Sequence, residues 1–153
     1  GAPFDFWKVA MKPGKPLAFG LVPSADGRSV PLFGLPGNPV SCVVNFLQFV
    51  RPWLRGSLGD PRPYLPVVDA VLADDLRDGS GRARLFRVAI EQGPEGFVAR
   101  AAGLQSSGVL TGLVRGQGLL LVAAEAPSPS KGARVRVQVF DDVWARSDPG
   151  YPW

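Results

Sequence analysis

The 153 residues are 46% hydrophobic and 20% charged, which is typical of a globular protein with room for one domain or two small ones. A formal net charge of +4 and a pI near 9.7 allow an anionic ligand, but the basic residues are scattered, so nucleic acid is not predicted as a partner. No histidine and a single cysteine exclude a catalytic imidazole, a histidine-bound metal, an intrachain disulfide and a cysteine zinc cluster.

The beginning of the chain carries no targeting signal. No basic-then-apolar pattern of a signal peptide opens it, and nowhere does the chain reach the ~18 consecutive apolar residues of a membrane helix, so a soluble, cytoplasmic protein without a membrane partner is expected. The chain begins Gly1-Ala2-Pro3, without methionine, and enters a predicted strand almost at once. This beginning is typical of a fragment of a longer protein.

Residues 1–59 are predicted to form an α/β domain. Pro13-Gly14 and Asp26-Gly27 are turn signals that separate three apolar runs. If the first run is one extended strand, Lys8 and Lys12 lie on the same face of it. The predicted strands are Phe4–Met11, Leu17–Val22 and Val30–Leu35.

Asn38 and Pro39 begin the strongest predicted helix. Asn38 suits the N-cap, and Pro39 suits the first helical position, where its missing N–H costs nothing. The free N–H groups at such a helix start are a ready anion site. Pro52 is predicted to end or kink the helix.

This helix is apolar around most of its circumference, so it is predicted to be covered on two sides. Its polar strip consists of Ser41, Asn45 and Gln48. The aromatic residues that are predicted to belong to the core are Trp7, Phe46 and Phe49.

Beyond residue 59 the pattern changes. Residues 60–66 are proline-rich and are predicted to be a stiff linker, residues 67–141 are predicted to be all-β, and residues 142–153 form a tail without periodicity. Short strands at this spacing favour a small barrel or sandwich, with one helical turn in the loop 103–113. The predicted strands are Val67–Leu72, Leu85–Glu91, Gly96–Ala102, Leu119–Ala124 and Val135–Phe140.

Two motifs carry a family resemblance. They are Lys8-Val9-Ala10-Met11-Lys12-Pro13-Gly14-Lys15-Pro16-Leu17-Ala18-Phe19-Gly20 and Leu35-Pro36-Gly37-Asn38-Pro39-Val40-Ser41. Their pairing at this separation resembles the C-terminal half of the molybdopterin molybdenumtransferase family, the MoeA-type and gephyrin E-type proteins. In the all-β region, Gly81-Arg82 with Arg87, and Gly103-Leu104-Gln105-Ser106-Ser107, are similar to two polar signatures of that family.

The resemblance implies a fold and an activity. The fold would be α/β plus all-β: a truncated MogA-like, molybdopterin-binding α/β domain followed by a small C-terminal β-barrel. The activity would be insertion of molybdate into adenylated molybdopterin, with release of AMP and the help of Mg²⁺. The full-length protein would be a homodimer.

The resemblance also implies site residues, in roles that suit highly anionic substrates. Fixed positive charge and N–H donors would hold the substrates together, so the chemistry would be positioning and charge neutralisation. The helix start and the barrel arginines would form opposite walls of one cleft. The implied residues are Lys8, Lys12 and Lys15 in catalysis; Gly14, Pro36, Gly37, Asn38, Pro39 and Ser41 in substrate binding; and Arg82, Arg87 and Ser107 in molybdate binding, with Ser106 as the alternative to Ser107.

The family's glycine- and serine-rich turn with its aspartate, which would handle the metal, is absent from this sequence. No metal ligand is therefore assigned to this chain, and the isolated chain is expected to be inactive or nearly so.

Other interpretations remain open at this point. The three lysines can be ordinary solvated residues, and Arg82, Arg84 and Arg87 can form an exposed strand face. A non-catalytic interaction or scaffold module of the same family is the alternative function. A single-strand nucleic-acid barrel would need aromatic residues between basic ones on one face, and Phe86 and Phe97 are too few.

Overall fold

The computed structural model describes residues 4–106, 108 and 110–140, and it divides the chain into two compact units, Gly1–Tyr64 and Leu65–Trp153. The first unit combines a small sheet with a helical segment, and the second is a closed five-stranded β-barrel. The predicted fold class is therefore confirmed. The predicted tail, residues 142–153, lies outside the described residues. Within the described ranges, no helix has the length and apolar character needed to cross a membrane.

The strands of the first unit are β1 (Phe4–Lys8), β2 (Met11–Lys12), β3 (Pro16–Pro23) and β4 (Ser29–Gly34). An antiparallel sheet with the order β1-β3-β4 is built around β3. The β3–β4 register is regular from Pro23 opposite Ser29 to Ala18 opposite Gly34, whereas β1 pairs with two irregularities. The second and third predicted strands are thus confirmed.

The predicted first strand is wrong beyond Lys8. The chain turns at Val9, whose N–H donates to Lys15 O (2.9 Å) and whose carbonyl accepts from Met11 N (2.8 Å). These bonds fold the segment back on itself, and the Lys12–Pro13 peptide is cis. Lys8 and Lys12 therefore belong to separate strands and do not share one strand face.

The helical segment runs through three consecutive pieces: α1 (Pro39–Asn45), a π-helical turn (Phe46–Val50) and α2 (Arg51–Ser57). The helix does not end at Pro52, because Pro52 lies in the first turn of α2, where no intrahelical N–H is needed. The hydrogen-bond pattern changes directly before this proline. In the wider π-helical turn, Arg51 N donates to Phe46 O, five residues earlier in the chain.

The prediction that Trp7 and Phe46 belong to the core is wrong. Trp7 lies on β1 with 65% of its surface exposed and carries Lys8 Nζ 3.7 Å from its ring centroid. Phe46 is 41% exposed, because the helix buries mainly the side of Val40 and Val44 and is not covered on two sides.

Four aromatic rings form a continuous row across the sheet and onto α2. Their centroids are 5.8 Å apart for Phe6 and Phe19, 5.1 Å for Phe19 and Phe33, and 5.9 Å for Phe33 and Trp53. The row lines an apolar groove of about 360 Å³, to which the exposed Tyr64 also contributes. We call this feature the aromatic groove.

Asp60 closes the end of the helical segment and supplies a pH-dependent contact. Its carboxylate accepts from Arg62 N (2.9 Å) and pairs with Arg55 Nε. The Arg62 backbone bond, and then the Arg55 guanidinium, lower the pKa of the Asp60 carboxyl. The contact is therefore complete above the unfolded value of about 3.9 and is lost as the pH falls through the lower folded value.

We expect an NMR titration of the Asp60 carboxyl carbon to give a midpoint below the ~3.9 of an unperturbed aspartate. The protection of the Arg62 N–H, relative to its intrinsic exchange rate at each pH, should fall over the same pH range, because protonation removes its acceptor. A midpoint at or above the ordinary value would contradict this assignment.

The second unit is a closed barrel of strands β5 (Val67–Leu72), β6 (Ala83–Gly93), β7 (Gly96–Ala101), β8 (Gly118–Val122) and β9 (Arg134–Val139). They pair in the ring β6-β7-β5-β9-β8, and β8 returns to β6. Only β5 and β7 run parallel; the other neighbours are antiparallel. The barrel prediction and all five predicted strands are confirmed, and α3 (Thr111–Val114) is the predicted helical turn.

Alternate residues of these strands fill the barrel with one apolar core. On β9, Val137 and Val139 are buried while Arg134 and Arg136 are exposed, as the alternation predicts. The buried core residues are Ala70, Leu72, Leu76, Phe86, Val88, Ile90, Ala99, Leu120, Val122, Val137 and Val139.

Candidate functional site

The Lys12–Pro16 turn of the first unit presents two of the predicted lysines. Lys15 is exposed and Lys12 is half-buried, while Gly14 between them is buried. Gly14 has φ +108°, and a Cβ there would lie 2.3 Å from Met11 Cε and 2.6 Å from Asn45 Oδ1. Both the backbone conformation and the space therefore require glycine. Lys8, outside this turn, is exposed beside Trp7.

The turn from Gly34 to Ser41 leads into α1 as the sequence predicts. Asn38 is the N-cap: its Oδ1 accepts from Ser41 N (3.4 Å), and its carbonyl accepts from Cys42 N (2.8 Å). Pro39 occupies the first helical position. Pro36 lies within this turn and is half-buried. The cap fixes the direction in which the helix start presents its remaining N–H groups.

Gly37 is exposed at the tip of this turn and is not required by the fold. No atom lies within 4 Å of the position that its Cβ would take, and its φ is not positive. A glycine of this kind leaves the backbone N–H groups open to close approach by a ligand.

Asn45 brings the lysine turn and the helix together. It is fully buried at the end of α1, and its Nδ2 donates to Pro16 O (2.9 Å). Sequence reasoning did not assign it a role, although a polar residue in a mostly apolar helix was the available signal.

Arg87 of β6 is the most unusual charged residue of the barrel, with 0% of its surface exposed. Its Nη2 donates to Leu104 O (2.8 Å) and Ser106 O (3.1 Å). Gln105 holds the same loop: it accepts from Arg87 N (2.9 Å) and donates to Arg87 O (3.0 Å). The loop 103–106 is thus fastened to β6 around the guanidinium.

Two nitrogen atoms of Arg87, Nε and Nη1, are buried without a hydrogen-bond partner among the described residues. No carboxylate within the described part of the chain pairs with it, and burial lowers the pKa of the Arg87 guanidinium, because a desolvated cation is disfavoured. Gly112 lies against the group, since a Cβ there would be 2.6 Å from Arg87 Nε. A buried cation with unpaired donors is costly and calls for an explanation, for which an anionic ligand is one candidate.

The other predicted barrel residues are only partly placed. Arg82 is half-buried just before β6, and Ser106 is exposed and offers its carbonyl to Arg87. Ser107 lies outside the described residues. Within the described ranges, no group of three histidine, cysteine or acidic residues can hold a metal ion, so the residues present do not fit a Mg²⁺ site.

The interpretation of Arg84 and Arg87 as an exposed strand face is wrong. Arg84 is also buried, and its guanidinium donates to Ala123 O, Ala126 O, Asp78 O and Ser128 Oγ. Phe86 is buried in the core, so its ring is not available for stacking on a nucleic-acid base. Arg84 thus stabilises loops, whereas Arg87 has two donor nitrogen atoms without a hydrogen-bond partner among the described residues.

Comparisons with known proteins match both units. Residues 1–56 match the family model of a probable molybdopterin binding domain, and residues 69–140 match that of the MoeA C-terminal region (domain IV). Molybdopterin molybdenumtransferase 2 of Mycobacterium tuberculosis is 38% identical over 133 residues, which are 87% of this chain and 31% of that protein. Gephyrin of Dictyostelium discoideum is 33% identical over 157 residues, with 90% and 22% covered.

A solved structure supports the fold. The molybdenum cofactor biosynthesis protein of Pyrococcus furiosus superimposes with a TM-score of 0.75 at 26% identity, covering 91% of this chain and 46% of that one. The chain spans about a third of the length of the curated molybdenumtransferases that it matches.

Proposed function

Since this chain belongs to the molybdopterin molybdenumtransferase family, we propose that it is the anion-binding part of an enzyme that inserts molybdate into adenylated molybdopterin and releases AMP. The observation that carries the proposal is the buried Arg87, whose Nε and Nη1 have no partner among the described residues. A role in molybdenum cofactor biosynthesis accounts for a cation held in this state, because the oxyanion would supply the missing acceptors.

The proposed chemistry is positioning and charge neutralisation. Molybdate and adenylated molybdopterin are both anionic, so they approach each other only where fixed positive charge offsets their repulsion. In the first unit, Lys12 and Lys15 would supply ammonium groups, and the exposed backbone at Gly37 would supply N–H donors. In the second unit, Arg87 would bind molybdate, and Arg82 and Ser107 are proposed to assist.

The lysine turn is tested in the full-length protein. We expect Lys12→Ala to slow molybdate-dependent release of AMP by about 100-fold, the loss seen when one charge-stabilising donor is removed from an active site. The control is Arg28→Ala, since Arg28 is exposed and pairs with Asp26 in the β3–β4 turn of the same unit. AMP release that is equal in the wild type and Lys12→Ala would remove Lys12 from the site.

The full-length protein is also proposed to be a cytoplasmic homodimer. Mg²⁺ is not assigned to residues of this chain.

A non-catalytic interaction module is the second candidate function, and the aromatic groove favours it. Trp53 and Tyr64 expose 41% and 71% of their surfaces beside this groove, and exposed aromatic residues are typical of protein contacts. For such a module, Trp53→Ser would weaken partner binding while Lys12→Ala would not. For the enzyme, Lys12→Ala would slow AMP release, whereas Trp53→Ser would leave AMP release unchanged.

A further inference from the structure

Asn45 is a buried polar residue whose hydrogen bonding is incomplete. Its side chain is fully inaccessible, its Nδ2 donates to Pro16 O, and its Oδ1 has no partner among the described residues. A buried acceptor without a donor destabilises the folded state, and an apolar residue of similar shape would avoid that cost. A stability role alone therefore does not explain the amide.

The amide lies against both neighbours of Lys15. Oδ1 is close to Gly14, since a Cβ on that glycine would be 2.6 Å away, and Nδ2 holds Pro16. On its other side, the Lys15 carbonyl accepts from Val9 N (2.9 Å). The backbone of Lys15 is thus fixed on two sides, while its side chain is exposed.

We propose that Asn45 is a positioning residue that holds Lys15 in place relative to the start of α1. This inference rests on the proposed anion-binding function of Lys15. Asn38 caps the first turn of α1, and Asn45 closes the same helix onto the lysine turn. One short helix therefore carries the Asn38 cap at its start and the contact with the lysine turn at its end.

The test compares Asn45→Leu with Val44→Ala. Leucine fills the space of asparagine but cannot donate to Pro16 O. Val44 is equally buried in α1, and its side chain has no polar atom that could hold the lysine turn by a hydrogen bond, so its truncation tests the effect of lost packing alone. With inorganic pyrophosphate as the probe, we expect the Kd to rise about 10-fold in Asn45→Leu, the effect of misplacing one charged group, and to stay within twofold in Val44→Ala.

A double-substitution cycle with Lys15→Met separates positioning from general damage. If Asn45 acts through Lys15, adding Asn45→Leu to Lys15→Met weakens pyrophosphate binding no further. Additive losses, or wild-type affinity in Asn45→Leu, would overturn the inference.

Hydrogen exchange tests the positioning role of Asn45 in the absence of any ligand. In Asn45→Leu, the Val9 N–H is expected to exchange at least 10-fold faster than in Val44→Ala, because its acceptor Lys15 O is no longer held. Unchanged Val9 protection would overturn the positioning role. If Asn45→Leu loses this protection but the wild-type chain binds no pyrophosphate, the positioning role stands and the proposed function is contradicted.

Discussion

Replacing Arg87 with methionine is expected to abolish the stabilisation of this chain by molybdate while leaving its folding without ligand almost unchanged. Methionine fills a similar volume without a charge, and exchanging a buried, unpaired charge for an apolar group is often neutral or stabilising. The carbonyls of Leu104 and Ser106 lose a donor, but both residues are exposed and water can replace it. A ligand present at 100 times its Kd adds about 2.7 kcal/mol, which raises the Tm of the wild type by about 5–10 °C.

The matched control is Arg84→Met in the same strand. The Nη1 and Nη2 atoms of Arg84 already donate four hydrogen bonds, so its loss leaves several loop acceptors unsatisfied and is expected to cost about 2–4 kcal/mol. The molybdate-induced shift should nevertheless persist. The measurement is differential scanning calorimetry with and without molybdate, with sulfate as the comparison anion. A full molybdate shift in Arg87→Met would make Arg87 a structural residue.

Gly14→Ala is expected to destabilise the first unit by roughly 2–4 kcal/mol, because it combines backbone strain with overpacking. The φ of +108° is unfavourable for alanine, and the added methyl group would meet Met11 and Asn45 at sub-van der Waals distances. The strain falls on the turn that carries Lys12 and Lys15, so pyrophosphate binding should be lost as well. Urea unfolding followed by tryptophan fluorescence, to which Trp7 and Trp53 of this unit contribute, measures the stability change.

Gly37→Ala is the control that separates binding from folding. Nothing within the unit lies near the added methyl group, and the backbone conformation suits alanine, so its unfolding free energy should stay within about 0.5 kcal/mol of the wild type. Weaker pyrophosphate binding in this stable variant would support close approach of an anion to the backbone. Wild-type binding would show that glycine is not needed there.

Local chemistry explains which elements were predictable from the sequence. The cap at Asn38 and the alternation of Val135, Val137 and Val139 depend on residues a few positions apart, and both were predicted correctly. The reversal at Val9 depends on a bond to Lys15 across the following turn, which no periodicity reveals.

The burial of Arg87 was not predictable for a related reason. Alternation places Phe86 and Val88 inside the barrel and Arg87 outside it. However, Gln105 and Gly112 lie against Arg87 on the outer side of β6, so both faces of the strand are buried at this point. Long-range coverage of this kind leaves no periodic trace, so the burial of Arg87 is visible only in the folded chain.

The closed ring of the barrel has a consequence for synthesis in the cell. Its first strand, β5, pairs along most of its length with its last strand, β9, and Val139 N donates to Pro66 O. The ribosome must therefore release residue 139 before β5 finds this neighbour, so the barrel cannot assemble progressively as it is translated. During that interval the edge of β5 that faces β9 has no partner strand, and its free N–H and C=O groups can pair with another chain.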